Sequence, residues 1–401
     1  MRRLILITLC LIFPVALLAQ TGVISGRVLR ADTKEPLAKV SVFLSNATVG
    51  TTTSEDGTYT LRGIRPGQYD LVITSVGFEE QTQQVLVGSQ ALTVNAELKP
   101  QVMQLGEVIV TDNANWKNNY AMFLTEFLGK SENARQCKIT NPHDITLIYR
   151  RSKKTLEAFS YDFINIENKA LGYRVKFLLK SFKSDKLNNL ISWQGRLLYE
   201  DLPGSQAQKR KWEERRQDTY YGSSLHFFRS LVSGSYAKEG FIMNILARRP
   251  NPARAPEELI QRKIDKFQMV NRDSLNYWVK MYDLPKYRET LYRQPVTPDQ
   301  VVHATDRNGL FAISFPECLY VIYTKKRELQ DFKDIYRPLD MENFETSVVT
   351  LYKPYAVFDN NGAVVSSQST LFEGTWSKSK VAELLPVDYV PSASYTPPYL
   401  K

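Results

Sequence analysis

Residues 22–110 read GVISGRVLRADTKEPLAKVSVFLSNATVGTTTSEDGTYTLRGIRPGQYDLVITSVGFEEQTQQVLVGSQALTVNAELKPQVMQLGEVIV, and this stretch decides the fold of the first part of the chain. Residues 22–30 alternate apolar and polar and end at the turn Ala31-Asp32-Thr33. Val40, Val42 and Leu44 then share one face of an extended segment. So do Tyr59 with Leu61, Tyr69 with Leu71 and Ile73, and Leu92, Val94, Ala96 and Leu98. A period of two residues is that of a strand with one buried face. Ser54-Glu55-Asp56-Gly57 ends in Gly, where a positive φ is easiest, and the Pro-Gly pair of Arg65-Pro66-Gly67-Gln68 suits a type II turn. Short strands at this spacing predict a small β-sandwich over residues 22–99.

Pro36-Leu37 before Val40-Ser41-Val42, Gly50-Thr51-Thr52-Thr53 leading into Asp56-Gly57-Thr58-Tyr59, Pro66-Gly67-Gln68-Tyr69, and Val76-Gly77-Phe78 occur in one order. Together they resemble the carboxypeptidase regulatory-like domain. That resemblance implies a seven-stranded, transthyretin-like sandwich of the immunoglobulin-like class. Leu105-Gly106-Glu107-Val108-Ile109-Val110-Thr111 is similar to the closing segment that joins such domains to the plug of TonB-dependent outer-membrane transporters, which implies a gram-negative envelope. Residues 100–111 are read as a linker. The domain accompanies zinc carboxypeptidases without holding zinc itself. His143, His226 and His303 are followed three residues later by Thr146, Arg229 and Asp306, so the chain has no His-x-x-Glu motif and no peptidase activity is implied.

At 401 residues the chain is long enough for two domains. Arg2 and Arg3, an uncharged apolar run over residues 4–18, and Leu17-Leu18-Ala19 predict a secretory signal over residues 1–19. The run is too short for a membrane span. Leu9 precedes Cys10 where a lipid-modified signal would need a small residue, so no acyl anchor is expected. The formal charge of +10 is uneven: residues 1–111 carry 9 basic and 9 acidic side chains, and the whole excess lies beyond them. Export makes nucleic acid an unexpected partner for that excess. Cys137 and Cys318 remain after signal removal; pairing them would close a loop of about 180 residues and contribute roughly 5 kcal/mol, but two separate buried thiols are the expectation.

The plug and large barrel of a transporter would need far more chain than residues 112–401 supply. Residues 112–390 are expected to form an α+β domain with an antiparallel sheet, followed by a weakly ordered tail, 391–401. Trp116, Tyr120, Phe123, Leu124, Phe127 and Leu128 share a helix face that stops at Gly129, a pattern of core packing. Alternation then predicts an antiparallel meander, with strands around Phe159-Tyr161-Phe163, 171–179 and 191–199, and turns at 165–169 and 183–189. Helical spacing returns over 207–216 and 221–231. Further strands are read at Leu275-Tyr277-Val279-Met281, 310–315 and 319–323. Asp359-Asn360-Asn361-Gly362 reads as the turn of a hairpin joining 348–358 with 363–366. Pro316 reads as an edge or break, and a short amphipathic helix is expected near 378–385.

Residues 207–216 form a basic cluster, Lys209, Arg210, Lys211, Arg215 and Arg216 against Glu213 and Glu214. Arg248, Arg249 and Arg254 are read in a loop stiffened by Pro250, Pro252 and Pro256. Lys209, Arg210, Lys211, Arg215, Arg216, Arg248 and Arg249 are therefore the candidate contact patch, suited to phosphate or carboxylate groups of a lipid or glycan. A solvated helix face with internal Glu partners is the competing reading. There is no metal-ligand spacing, CxxC pair, GxSxG elbow or phosphate loop, so no cofactor or metal is expected. The most enzyme-like stretch is Tyr220-Tyr221-Gly222-Ser223-Ser224-Leu225-His226, where a capping Ser and an interfacial His are the simpler reading. The functional expectation is a noncatalytic exported envelope protein, periplasmic, outer-membrane associated or secreted, presenting its domains to a protein or glycan partner. The alternatives are a small outer-membrane barrel over 145–365 and an unrecognised envelope hydrolase using Ser223, Ser224 and His226.

Overall fold

A computed structural model describes residues 21–101, 113–328, 334–337, 340–392, 396–397 and 399. The expected signal and the closing motif 105–111 lie outside the described residues. Two compact units make up the chain, the first within residues 1–101 and the second carrying everything after Gln101. The first is an all-β sandwich; the second is α+β with antiparallel sheets.

In the sandwich, Thr58–Ile64 and Gly22–Arg30 pair antiparallel, and Leu92–Thr93 and Ala96–Leu98 run parallel along the other edge of Gly22–Arg30. The second sheet has the order Gly50–Thr52, Ser41–Leu44, Gly67–Thr74, Gln81–Val87. Ile24, Val28, Val42, Leu61, Leu71 and Ile73 are buried, as their alternation requires. Seven strands result when the last is taken as one strand broken at Val94-Asn95. The break has a local cause: a Cβ at Gly26 would come 1.8 Å from the Val94 carbonyl oxygen, so only glycine admits this approach. Asn95 Oδ1 accepts from Arg27 N at 2.9 Å in place of the interrupted ladder. The turn expectation at Pro66-Gly67 is corrected. Gly67 opens a strand without a positive φ, while Gly63 takes φ +72. The strands flanking Arg65-Pro66 belong to different sheets, so this link crosses between layers and closes no hairpin.

In the second unit, helix Asn113–Phe127 ends before Gly129 at φ +99. Phe123 and Phe127 are buried; Phe127 stacks on Phe177 at 5.3 Å and meets Phe182 edge-on at 5.8 Å. The sheet beneath them is organised by the 13-residue strand Tyr173–Asp185. Along one edge its start pairs with Ile164–Asn168 and its end with Thr155–Ser160; Leu190–Asp201 fills the other. The turn expected at 183–189 falls at 186–189, between Tyr173–Asp185 and Leu190–Asp201, whereas the turn expected at 165–169 is corrected, since Ile164–Asn168 is a strand. Ile164 and Ile166 are buried, and Asn168 stays in the strand because its amide donates to Ala382 O at 2.9 Å while its Oδ1 accepts from Leu171 N at 3.0 Å. The turn moves on to Gly172, at φ +69.

A five-stranded sheet follows, ordered Tyr287–Leu291, Phe241–Pro250, Cys318–Arg327, Phe344–Leu351, Thr370–Gly374. Val302–Ala304, Leu310–Ile313 and Ala356–Asp359 make a three-stranded one. Phe227, Phe228, Phe241, Tyr323, Phe358 and Trp376 share one core. Residues 145–365 thus spread over three open sheets among the described residues, which contradicts a single small barrel.

Four further local expectations change. Residues 275–281 are not a strand but part of helix Arg272–Asp283, capped by Asn271 Oδ1 accepting from Ser274 N at 2.9 Å. Arg248 and Arg249 lie in strand Phe241–Pro250, not in the proline loop. The run 348–358 is split between Phe344–Leu351 and Ala356–Asp359, with Pro354 in the gap. The helix near 378–385 is replaced by Thr375–Lys378 and the 3₁₀ turn Val381–Glu383. Cys137 and Cys318 are both free thiols, and burial pushes Cys137 up to about 12. Among the described residues of the tail, Ser392 N donates to Glu213 Oε1 at 3.1 Å and Tyr399 OH to Asp218 Oδ1 at 3.3 Å.

Candidate functional site

A polar cleft of about 340 Å³ opens in the second unit. One wall is the C-terminal end of helix Gln206–Tyr220, which starts at a capping box in which Ser205 Oγ accepts from Gln208 N and Gln208 Oε1 from Ser205 N. This helix brings Arg215, Asp218 and Thr219 to the cleft. Ser131 and Asn133 come from the cap and first turn of helix Glu132–Arg135. Lys326, Glu328 and Glu345 come from the five-stranded sheet and its edge; Trp376 and Lys378 come from the short helix after it.

Gly222 joins these walls. Its φ of +88 is left-handed, its N–H donates to His226 Nδ1 at 3.1 Å, and its carbonyl accepts from Trp376 Nε1 at 2.7 Å. A Cβ there would lie 2.7 Å from the Tyr323 ring and 2.9 Å from Glu345 Oε2. Because Nδ1 of His226 accepts, its Nε2 carries the proton and donates to Glu239 Oε2 at 3.3 Å. Burial keeps the buried imidazole below its ordinary value of 6.5 against the pull of Glu239, and that hydrogen bond in turn lowers the Glu239 carboxyl. Ser223 Oγ accepts from His226 N at 3.2 Å as the helix N-cap. The Ser223 and His226 side chains are therefore both engaged in holding the helix start.

Every cation lining the cleft has a carboxylate partner. Lys326 Nζ is 3.2 Å from Glu345 Oε1, Lys378 Nζ is 2.7 Å from Glu328 Oε2, and Arg215 Nη2 is 3.1 Å from Glu132 Oε1. Glu383 accepts from Ser131 Oγ and, at 2.8 Å, from Asn133 Nδ2. Burial raises the Glu345 carboxyl, with Lys326 opposing it. Among the described residues, Asn133 Oδ1 is buried without a hydrogen-bond partner. No group of three His, Cys, Asp or Glu side chains among the described residues could hold a metal ion. The chemistry on offer is an ordered set of donors and acceptors in which each cation is paired, while five carboxylates against three cations leave the lining acidic overall.

The seven basic residues of the predicted patch are not gathered here; Arg215 alone of them lines the cleft. Lys209, Arg210 and Lys211 are exposed on the same helix. Arg216 turns inward, bonding Leu171 O and Asp201 Oδ1 at 2.7 Å each, with its guanidinium 3.7 Å from the Tyr173 ring centre. Arg248 bridges Glu289 and Glu373 at 2.6 Å each, and Arg249 meets Glu317 at 2.5 Å. The cleft residues that sequence reading missed, Lys326, Glu328, Glu345 and Lys378, come from separate segments with no common spacing. The one local hint was the charged run Lys325-Lys326-Arg327-Glu328 closing an apolar strand.

Solved structures overlay parts of the chain weakly. The pilus 2b backbone protein of group B streptococcus is 21% identical over 20% of this chain and 42% of its own, with a TM-score of 0.18. The chain thus spans less than half of that pilus protein's length. A protein of Bacteroides uniformis described as carbohydrate binding is 11% identical over 45% of this chain and 79% of its own, with a TM-score of 0.17. A Bacteroides fragilis protein described as membrane-associated and of unknown function is 9% identical over 88% and 93%, with a TM-score of 0.17. Overlays of this quality carry no argument about architecture or activity. No curated protein matches the chain. Residues 24–110 match the family model of the CarboxypepD_reg-like domain, and the chain carries a carboxypeptidase regulatory-like β-sandwich in its first part.

Proposed function

We propose that the chain is an exported, noncatalytic envelope protein whose second unit binds a neutral, polyhydroxylated ligand, a glycan, in the polar cleft. The observation that carries this reading is the pairing of Arg215, Lys326 and Lys378 with carboxylates. A polyanion would have to displace those partners, whereas sugar hydroxyls both donate and accept and fit between them. Thr219, Ser223 and Thr375 line the same space. The export signal expected over residues 1–19 and the transporter-like motif 105–111 support a periplasmic, outer-membrane associated or secreted location.

A glycan array followed by calorimetry on the purified protein tests the ligand. Binding that falls with Asp218→Asn or Glu328→Gln, at unchanged thermal stability, is the expected result. Failure to bind any glycan, with reproducible capture of an envelope protein through the same cleft residues, would overturn it in favour of a protein partner. Fractionation into periplasm, outer membrane and medium tests the location; retention in the cytoplasm would remove it.

A further inference from the structure

We propose that the helical hairpin formed by Glu257–Phe267 and Arg272–Asp283 docks this protein on an anionic phospholipid surface through its apolar tip. The hairpin is held firmly at its base. Arg254 bonds Glu257 Oε2 at 2.8 Å, Leu284 O at 2.9 Å and Tyr282 O at 3.2 Å, and Lys286 adds a second cation 3.3 Å from Glu257. Above that base Ile260 is the one fully buried residue of the first helix and the second helix has none, while Leu259, Ile264, Phe267, Leu275, Trp278 and Met281 are half-buried. At the tip, Met269 is 94% and Val270 79% exposed. Met269 and Val270 are adjacent in the turn between the two helices and together present an apolar point to solvent.

Charge selects the occupant. Between residues 262 and 272 stand Arg262, Lys263, Lys266 and Arg272 against the single carboxylate of Asp265, which is occupied by Lys154 at 2.9 Å. The lysines are held beside aromatic rings: Lys263 Nζ is 5.9 Å from the centres of both Phe267 and Trp278, and Lys266 Nζ is 5.6 Å from Phe267. This places ammonium groups next to rings just behind an apolar point. Such an order matches the depth profile of a phospholipid leaflet, with acyl chains for Met269 and Val270, an interfacial layer for the aromatics and phosphates for the cations. No described helix is long and apolar enough to cross a membrane, and docking at this depth requires none. The surface is separate from the glycan cleft and does not depend on it.

Sedimentation of the purified full chain with vesicles tests the proposal, using phosphatidylglycerol mixed with phosphatidylcholine in one arm and phosphatidylcholine alone in the other. Binding to the anionic vesicles should exceed binding to the neutral ones and weaken with salt. Lys263→Gln and Lys266→Gln should each lower it about fivefold, and the Met269→Ser, Val270→Ser double variant by about tenfold or more. All these positions are at the surface, and unchanged melting curves separate lost docking from lost folding. Equal binding to both vesicle types, or wild-type binding by the double variant, would overturn it. So would an absence of vesicle binding with a dimer in solution that the double variant dissolves, since the tip would then be a contact between copies.

Discussion

Two amphipathic helices of this protein, Asn113–Phe127 and Arg272–Asp283, have similar aromatic content and opposite fates. The first lays Phe123 and Phe127 on a sheet that offers Phe177 and Phe182 in return. The second carries Tyr277, Trp278, Val279 and Tyr282, yet buries no residue. Periodicity defines a face, and only a complementary surface makes that face a core. The arginines repeat the lesson. Arg216 and Arg248 are built into the fold by carbonyl and carboxylate partners, while Lys209, Arg210 and Lys211, from the same predicted patch, remain in solvent.

The sharpest way to break the comparison is to truncate one aromatic on each helix. Phe127→Ala should cost about 3–5 kcal/mol in denaturant unfolding, through lost burial and a residual cavity. Tyr277→Ala should stay within about 0.5 kcal/mol; equal losses would mean that the second helix is as firmly packed as the first. Among the arginines, Arg248→Ala leaves Glu289 and Glu373 facing each other without their cation. Because Glu373 is partly exposed, the expected loss is about 2 kcal/mol, against about 0.5 kcal/mol or less for Lys209→Ala.

A pH series sharpens the contrast between buried and solvated charge. The folded-state value of His226 is depressed, so the unfolded chain binds its proton first. Stability attributable to His226 is complete above about pH 6.5, the unfolded value, and declines as pH falls below it. Glu239, also depressed, loses its contribution at lower pH still, as its carboxylate protonates. Unfolding midpoints should therefore fall on acidification, and His226→Gln should flatten the upper part of that fall. A midpoint that rises as pH drops through this window would contradict the neutral, donating imidazole. The smallest expected effect is that of Met269→Ser, whose side chain touches solvent: no change in unfolding midpoint beyond about 0.5 kcal/mol.

Much of the sandwich was legible because its signals are local. Alternation chose the buried faces, and Gly57, at φ +78, sits where the turn chemistry placed it. Gly67 was misread because the turn rule supposes a hairpin, whereas the chain changes sheets there. Leu275, Tyr277, Val279 and Met281 satisfy a period of two, but Leu275, Trp278 and Met281 satisfy helical spacing as well, and the Asn271 cap decides between them. Of the cleft, the sequence singled out only Arg215 and the stretch Tyr221-Gly222-Ser223. The charged residues of the cleft lie in segments between Ser131 and Glu383, and no spacing rule joins them.

The sequence by itself determined that the first part is a regulatory-like sandwich, that the second is a separate aromatic-rich α+β unit, and that no familiar catalytic motif is present. Those properties follow from short-range periodicity, turn chemistry and composition, which act within a few residues. Only the tertiary structure decided which arginines are structural, that residues 145–365 spread over three open sheets, and that a polar cleft with paired cations and an uncovered hairpin tip exist. Each of those depends on which distant surfaces meet, because burial and ion pairing are properties of the assembled neighbourhood rather than of any one segment.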